Sequence, residues 1–274
     1  MQDSDAIKNV IPLRDYSRKA NFGFAAGRLA LSGTLFDECT DRKEFSAVEI
    51  SCEYFKSLPE SRQQYLRKHF RRLHCGSLLT PSLATLVPGA GKHIRKEFVR
   101  TCEKVFRDLQ TLEIECGALD FSLTAVLKDP DRKQQLSSLL RELHPALQAA
   151  GRTLLLPVRL PFDKADMPER VMGFLRDLMI PGLKLRLELY PHDMKPDFNP
   201  QELAKTLRLE TRSVMFCFNA DGGNRLMKLH IEPWLSYFAL TGYTGPYLVC
   251  PFSLNNRLAA VESENYAALI QDLF

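Results

Sequence analysis

Residues Thr153–Tyr190 read TLLLPVRLPFDKADMPERVMGFLRDLMIPGLKLRLELY, and the fold is decided by how this stretch is parsed. It opens with a short apolar run, TLLLPV from Thr153, too brief for a helix and rich enough in branched side chains for a buried strand. Pro168 then stands where a proline starts a helix, and Val171, Phe174, Leu175 and Leu178 follow at helical spacing. Pro181-Gly182 stops that helix. The stretch closes on LKLRLEL, whose charged and apolar residues alternate strictly from Lys184 to Glu188. A strand, a helix and a second strand in this order form a crossover unit, which places the two strands parallel with the helix packed outside them.

The same rhythm extends in both directions. Upstream, Asp131 opens a helix with a stripe of Leu136, Leu139, Leu140, Leu143 and Leu147, and Gly151 ends it. Before it lie ALDFSL as strand four and a long helix from Lys92 to Glu115 carrying Ile94, Phe98, Cys102, Val105, Leu109 and Leu112. Earlier still are RLHCG as strand three and a helix from a Ser57-Pro59-Glu60 cap to about Arg71. AVEIS is strand two, and LALSG, from Leu29, is strand one. Downstream, SVMFCFN and PYLVCPF are strands seven and eight, and Ser263 caps a last helix with Tyr266, Leu269, Ile270 and Leu273. Eight such units in about 250 residues close into a barrel, with the chemistry at the C-terminal ends of the strands. The expected architecture is α/β, a single (β/α)8 TIM barrel over residues 28–274, preceded by a short N-terminal extension, residues 1–27, that is polar and interrupted by Pro12, Gly23 and Gly27.

Composition bounds the function. The chain has 274 residues, is 45% apolar and 26% charged, and carries 37 Lys+Arg against 33 Asp+Glu, a net charge of +4. That balance is too even for a nucleic-acid surface, and the basic run Leu66–His74 has the spacing of a solvated helix face. No apolar run approaches the roughly 20 residues of a membrane span. Seven cysteines form no Cys-x-x-Cys pair, and several stand inside apolar runs as small hydrophobes. An odd count, no signal peptide and no Asn-x-Ser/Thr site fit a cytoplasmic protein. PGAGKH (Pro88–His93) resembles a phosphate loop but has Leu86 where the first glycine belongs and His93 where Ser/Thr belongs.

AVEIS with Glu49, RLHCG with His74, and HIRKEFVRTCEKVFRDLQTLEIECGALDF resemble the xylose-isomerase-like TIM barrels. That superfamily holds sugar and sugar-phosphate isomerases and epimerases and a DNA-repair endonuclease branch. The resemblance implies a small carbohydrate or sugar phosphate as partner, pairing of barrels into a homodimer, and a divalent ion (Mn, Mg or Zn) held by late-strand carboxylates and a histidine. Its ligand set is incomplete here. Arg159 is the nearest polar residue where the strand-five Glu is usual, and no acid precedes Glu262 after strand eight. No metal ligand can therefore be named and no cofactor is assigned. An Arg suits a phosphate or carboxylate instead.

The candidate residues follow from these positions. Glu188 and Tyr190 share a strand face, with His192 and Asp193 in the loop beyond. In the isomerase reading Glu188 and Asp120 are base and acid, and His74 orients a substrate hydroxyl. Arg159 grips an anionic group, while Asn219, Asp221, His192 and Trp234 line the pocket. Glu49 fits either a structural ion pair or a site role. The rival reading is a non-catalytic carbohydrate-binding or scaffold barrel that has lost the family metal. The endonuclease branch needs several metals and a basic groove, which this sequence does not offer, so no nucleic-acid partner is expected.

Overall fold

The computed structural model describes residues 21–25, 47–50, 52–70, 72–79, 91–119, 121–190, 200–219, 231, 234–236, 238 and 241–252. Its strands are β1 (Asn21–Ala25), β2 (Ala47–Ile50), β3 (Arg72–Leu79), β4 (Cys116–Leu119), β5 (Thr153–Leu160), β6 (Leu183–Leu189), β7 (Thr211–Asn219) and β8 (Pro246–Phe252). They pair in chain order, all parallel, and β8 pairs with β1 to close the ring. Among the described residues, α1 (Cys52–Ser57) and α2 (Glu60–His69) follow β2, and α3 (Lys92–Thr111) follows β3. After β4 come α4 (Leu123–Val126) and α5 (Pro130–Ala150). After β5 comes α6 (Met167–Leu178), and after β6 comes α7 (Pro200–Leu207). The molecule is thus an α/β protein built on a parallel sheet.

Alternation along the strands separates two interiors. On β5 and β6, Leu154, Leu156, Val158 and Leu160 with Leu183, Leu185, Leu187 and Leu189 face the helices. They join the α3 stripe (Val99, Cys102, Phe106, Leu109), the α5 stripe (Leu136, Leu139, Leu140, Leu143, Leu147) and Val171, Phe174 and Leu178 of α6. Each fully buried side chain of this size contributes roughly 1.5–3 kcal/mol, so this layer dominates stability. Burial pushes the Cys102 thiol up to about 12, so it packs there as a neutral group. The opposite faces point into the bore. Small and sulfur-bearing residues fill much of it, in one cluster of Ala47, Tyr190, Met215, Cys217, Leu248 and Cys250 and another of Cys116, Ala118 and Leu155.

Several boundaries differ from the sequence reading for identifiable reasons. The first described strand is NFGFA, inside the stretch read as an extension, and it pairs on both sides with β2 and β8. Gly23 there looks like a breaker, but a strand held by two parallel neighbours tolerates it. LALSG from Leu29 lies outside the described residues. Ser57 does not cap α2: its hydroxyl donates to the Tyr54 carbonyl at 2.7 Å, closing α1, a helix the sequence reading missed. Asp129 rather than Asp131 caps α5, its carboxylate accepting from the amides of Asp131 and Arg132 at 3.0 and 3.1 Å. Gly151 ends α5 at φ 61°, as its position after the leucine stripe requires.

Candidate functional site

Strands buried on both faces seldom carry charge, so the inward face of β6 is unusual. Lys184, Arg186 and Glu188 occupy it in turn, two residues apart. Lys184, at the N-terminal end, pairs outside the bore with Glu210 at 2.7 Å. Arg186 has no such exit and is 0% exposed. Its Nη1 donates to Glu49 Oε1 at 2.8 Å and its Nη2 to Glu188 Oε1 at 2.6 Å. Glu49 and Glu188 are themselves buried, at 2% and 3% exposure.

Strand order gives this triad its geometry. β2 and β6 stand opposite one another in the ring, so Arg186 and Glu49 meet across the bore, while Glu188 joins from the same strand one inward position nearer the mouth. The guanidinium suits this bridge because its planar fork offers donors in two directions at once. Charged hydrogen bonds of 2.6–2.8 Å are the strong kind, and they are needed here, since an unpaired charge in such a place would be prohibitive. The triad carries a net charge of one negative unit.

At the level of Glu188, toward the C-terminal ends of the strands, Arg159 of β5 is its register partner. Its guanidinium lies 4.1 Å from the centroid of the Tyr190 ring, a cation–π contact. Arg159 is exposed while Tyr190 is buried, so the arginine carries a positive charge on the solvent side of an aromatic ring. On β7 and β8 the corresponding inward positions are apolar or sulfur-bearing: Met215 and Leu248, then Cys217 and Cys250.

The residues singled out from the sequence are distributed as follows. Glu188, Tyr190 and Arg159 come together at the mouth on adjacent strands. His74 lies on β3 in register with Glu49 on one side and Cys116 on the other. Asn219 ends β7 in register with Phe252. Asp120, His192 and Asp221 lie outside the described residues. Trp234, expected to rim the pocket, is instead 4% exposed within the outer core, its ring stacked 6.3 Å from that of Phe238. Packing against the core claims it because a large ring beside a helix start gains more from burial than from solvent. The sequence reading overlooked Arg186. The available signal was Lys-x-Arg-x-Glu on a strand with leucine at every alternate position, which forces the charges into the bore and requires partners for them.

The described residues around Arg186 do not fit a divalent ion. Among the described residues, no three His, Cys, Asp or Glu side chains are grouped to hold a metal. The two carboxylates inside the bore both receive hydrogen bonds from Arg186. An ion placed between them would face a guanidinium that repels it and cannot ligate it.

The parallel strands form a closed ring with Arg159, Glu188 and Tyr190 gathered toward their C-terminal ends. Comparison of structures places it more narrowly, with the fold of the xylose-isomerase-like barrels. D-psicose 3-epimerase from Clostridium cellulolyticum H10, solved with D-tagatose, superposes with a TM-score of 0.66 at 13% identity, over 92% of this chain and 99% of that one. D-allulose 3-epimerase from Methylomonas sp. gives 0.65 at 13% identity, over 93% and 98%. A family 2 AP endonuclease from Brucella melitensis gives 0.61 at 15% identity, over 88% and 96%. No protein-family model and no curated protein matches the sequence.

Proposed function

We propose that this chain is a single (β/α)8 barrel of the sugar isomerase and epimerase type. It takes a small carbohydrate or sugar phosphate at its C-terminal mouth and works without a divalent ion between Glu49 and Glu188. The observation that most supports this reading is Arg159 in register with Glu188 near that mouth, its guanidinium against the Tyr190 ring. Sugar epimerases among the structural neighbours favour the same ligand class. Arg159 anchors an anionic substituent, for which a guanidinium offers two parallel donors. Tyr190 is buried beneath that guanidinium and holds it in place through the cation–π contact.

In the catalytic form of this reading, Glu188 accepts a proton from the carbon next to the substrate carbonyl. Asp120 returns one, and His74 orients a hydroxyl. Arg186 then acts as a positioning residue: it fixes the Glu188 carboxylate and supplies a permanent positive charge below the reacting atoms. A second reading, recognition without turnover, is favoured by the same contact, because Glu188 already accepts a short hydrogen bond from Arg186. Turnover on a panel of ketoses and ketose phosphates separates the two. The catalytic form expects epimerised or isomerised product from wild type. It also expects a loss of about 100-fold or more in Glu188→Gln, in line with removal of a general base. Turnover unchanged in Glu188→Gln removes the assigned base, and ligand binding without product establishes the second reading.

A further inference from the structure

We infer that Arg186 is the resident cation of this barrel: its guanidinium holds the space between Glu49 and Glu188 that a divalent ion would otherwise fill, and only its removal opens a metal site there. The argument rests on the bore alone and stands whether or not the mouth takes a sugar. Two carboxylates from opposite walls converge on one guanidinium, Glu49 on Nη1 at 2.8 Å and Glu188 on Nη2 at 2.6 Å. Oxygen donors facing inward from two sides are what a hard cation seeks. The guanidinium satisfies them through two nitrogens, at 2.8 and 2.6 Å, with a charge that travels with the chain and cannot be chelated. It also opposes a second cation, because a divalent ion between the same carboxylates would sit against a buried positive charge.

A further oxygen lies on the neighbouring strand. Ser213 of β7 is in register with Arg186 and is likewise 0% exposed. Its hydroxyl has no hydrogen-bond partner among the described residues. Register neighbours on parallel strands share a face, so this hydroxyl belongs to the same layer of the bore as the guanidinium. Shortening Arg186 to a small side chain leaves two carboxylates and a hydroxyl around the vacated volume, a donor set of the hard, all-oxygen type that suits Mn²⁺, Mg²⁺ or Ca²⁺.

The test uses Mn²⁺ itself, titrated into metal-stripped protein and followed by the electron paramagnetic resonance of the free ion. Wild type is expected to show no tight site. Arg186→Ser is expected to gain one Mn²⁺ per chain with affinity at least about tenfold above any wild-type binding, the equivalent of about 1.4 kcal/mol. The double variant Arg186→Ser/Glu188→Gln is expected to lose it again. A wild-type protein that holds one equivalent of Mn²⁺, released by Glu188→Gln or Glu49→Gln, overturns the inference. So does a folded Arg186→Ser that binds no more Mn²⁺ than wild type. Should Arg186→Ser fail to fold without metal, melting decides. Rescue of its folding by Mn²⁺, together with a wild-type melting temperature indifferent to Mn²⁺ and EDTA, supports the inference. A wild-type protein stabilised by Mn²⁺ through Glu188, or an Arg186→Ser that Mn²⁺ cannot rescue, refutes it.

Discussion

Arg186 joins three charges that individually have no place in a barrel core. Its contacts at 2.8 and 2.6 Å run to carboxylates on opposite strands, so the loss of one member strands the others. Removing one partner of a buried ion pair costs about 3–5 kcal/mol, whereas replacing a whole triad with uncharged groups of similar volume is often neutral. Arg186→Met is therefore expected to lower unfolding free energy by about 3–5 kcal/mol in urea denaturation at neutral pH. Adding Glu49→Gln and Glu188→Gln to it is expected to recover most of that loss. A triple variant no more stable than Arg186→Met would mean that the charges contribute independently. Glu188 and Arg159 were legible from sequence as inward polar residues near strand ends. Arg186 was not, because strand periodicity assigns a face without revealing which residue lies across the bore.

At the scale of elements, the sequence was most legible where local chemistry and tertiary packing agree. Strands β5 and β6 and helix α5 emerge from alternation, from the leucine stripe and from Gly151, and the structure places them there. Legibility failed where a single local signal stood alone. Ser57 has the residue type of an N-cap, yet its hydroxyl serves the preceding turn. Asp129 does cap α5, bonding two amides that the helix itself leaves open. Asp129→Ala is expected to cost about 1 kcal/mol in thermal or urea unfolding. An unchanged midpoint would show that solvent satisfies those amides equally well. β1 was misplaced for a related reason: five residues with a central glycine carry little intrinsic strand signal, and both of its partners are remote in sequence.

At the scale of the molecule, closure of β1 onto β8 is what brings the site together. Residues from β2, β5 and β6 share one bore only because the ring is complete. The parallel α/β layout was readable because short apolar runs alternating with helices have few other solutions. Arg159 and Glu188 were named as candidates from the sequence, but nothing there showed that Arg186 bridges Glu49 and Glu188 inside the bore. The account as a whole turns on whether ligand recognition at this mouth is independent of divalent metal. Calorimetric titration of ketose phosphates into wild-type protein, once in EDTA and once in Mn²⁺, tests it most directly. The expected result is the same affinity in both buffers, lost by about tenfold or more in Arg159→Ala, the range of a charged hydrogen bond. Binding that appears only with Mn²⁺, and that survives Arg159→Ala, would contradict it.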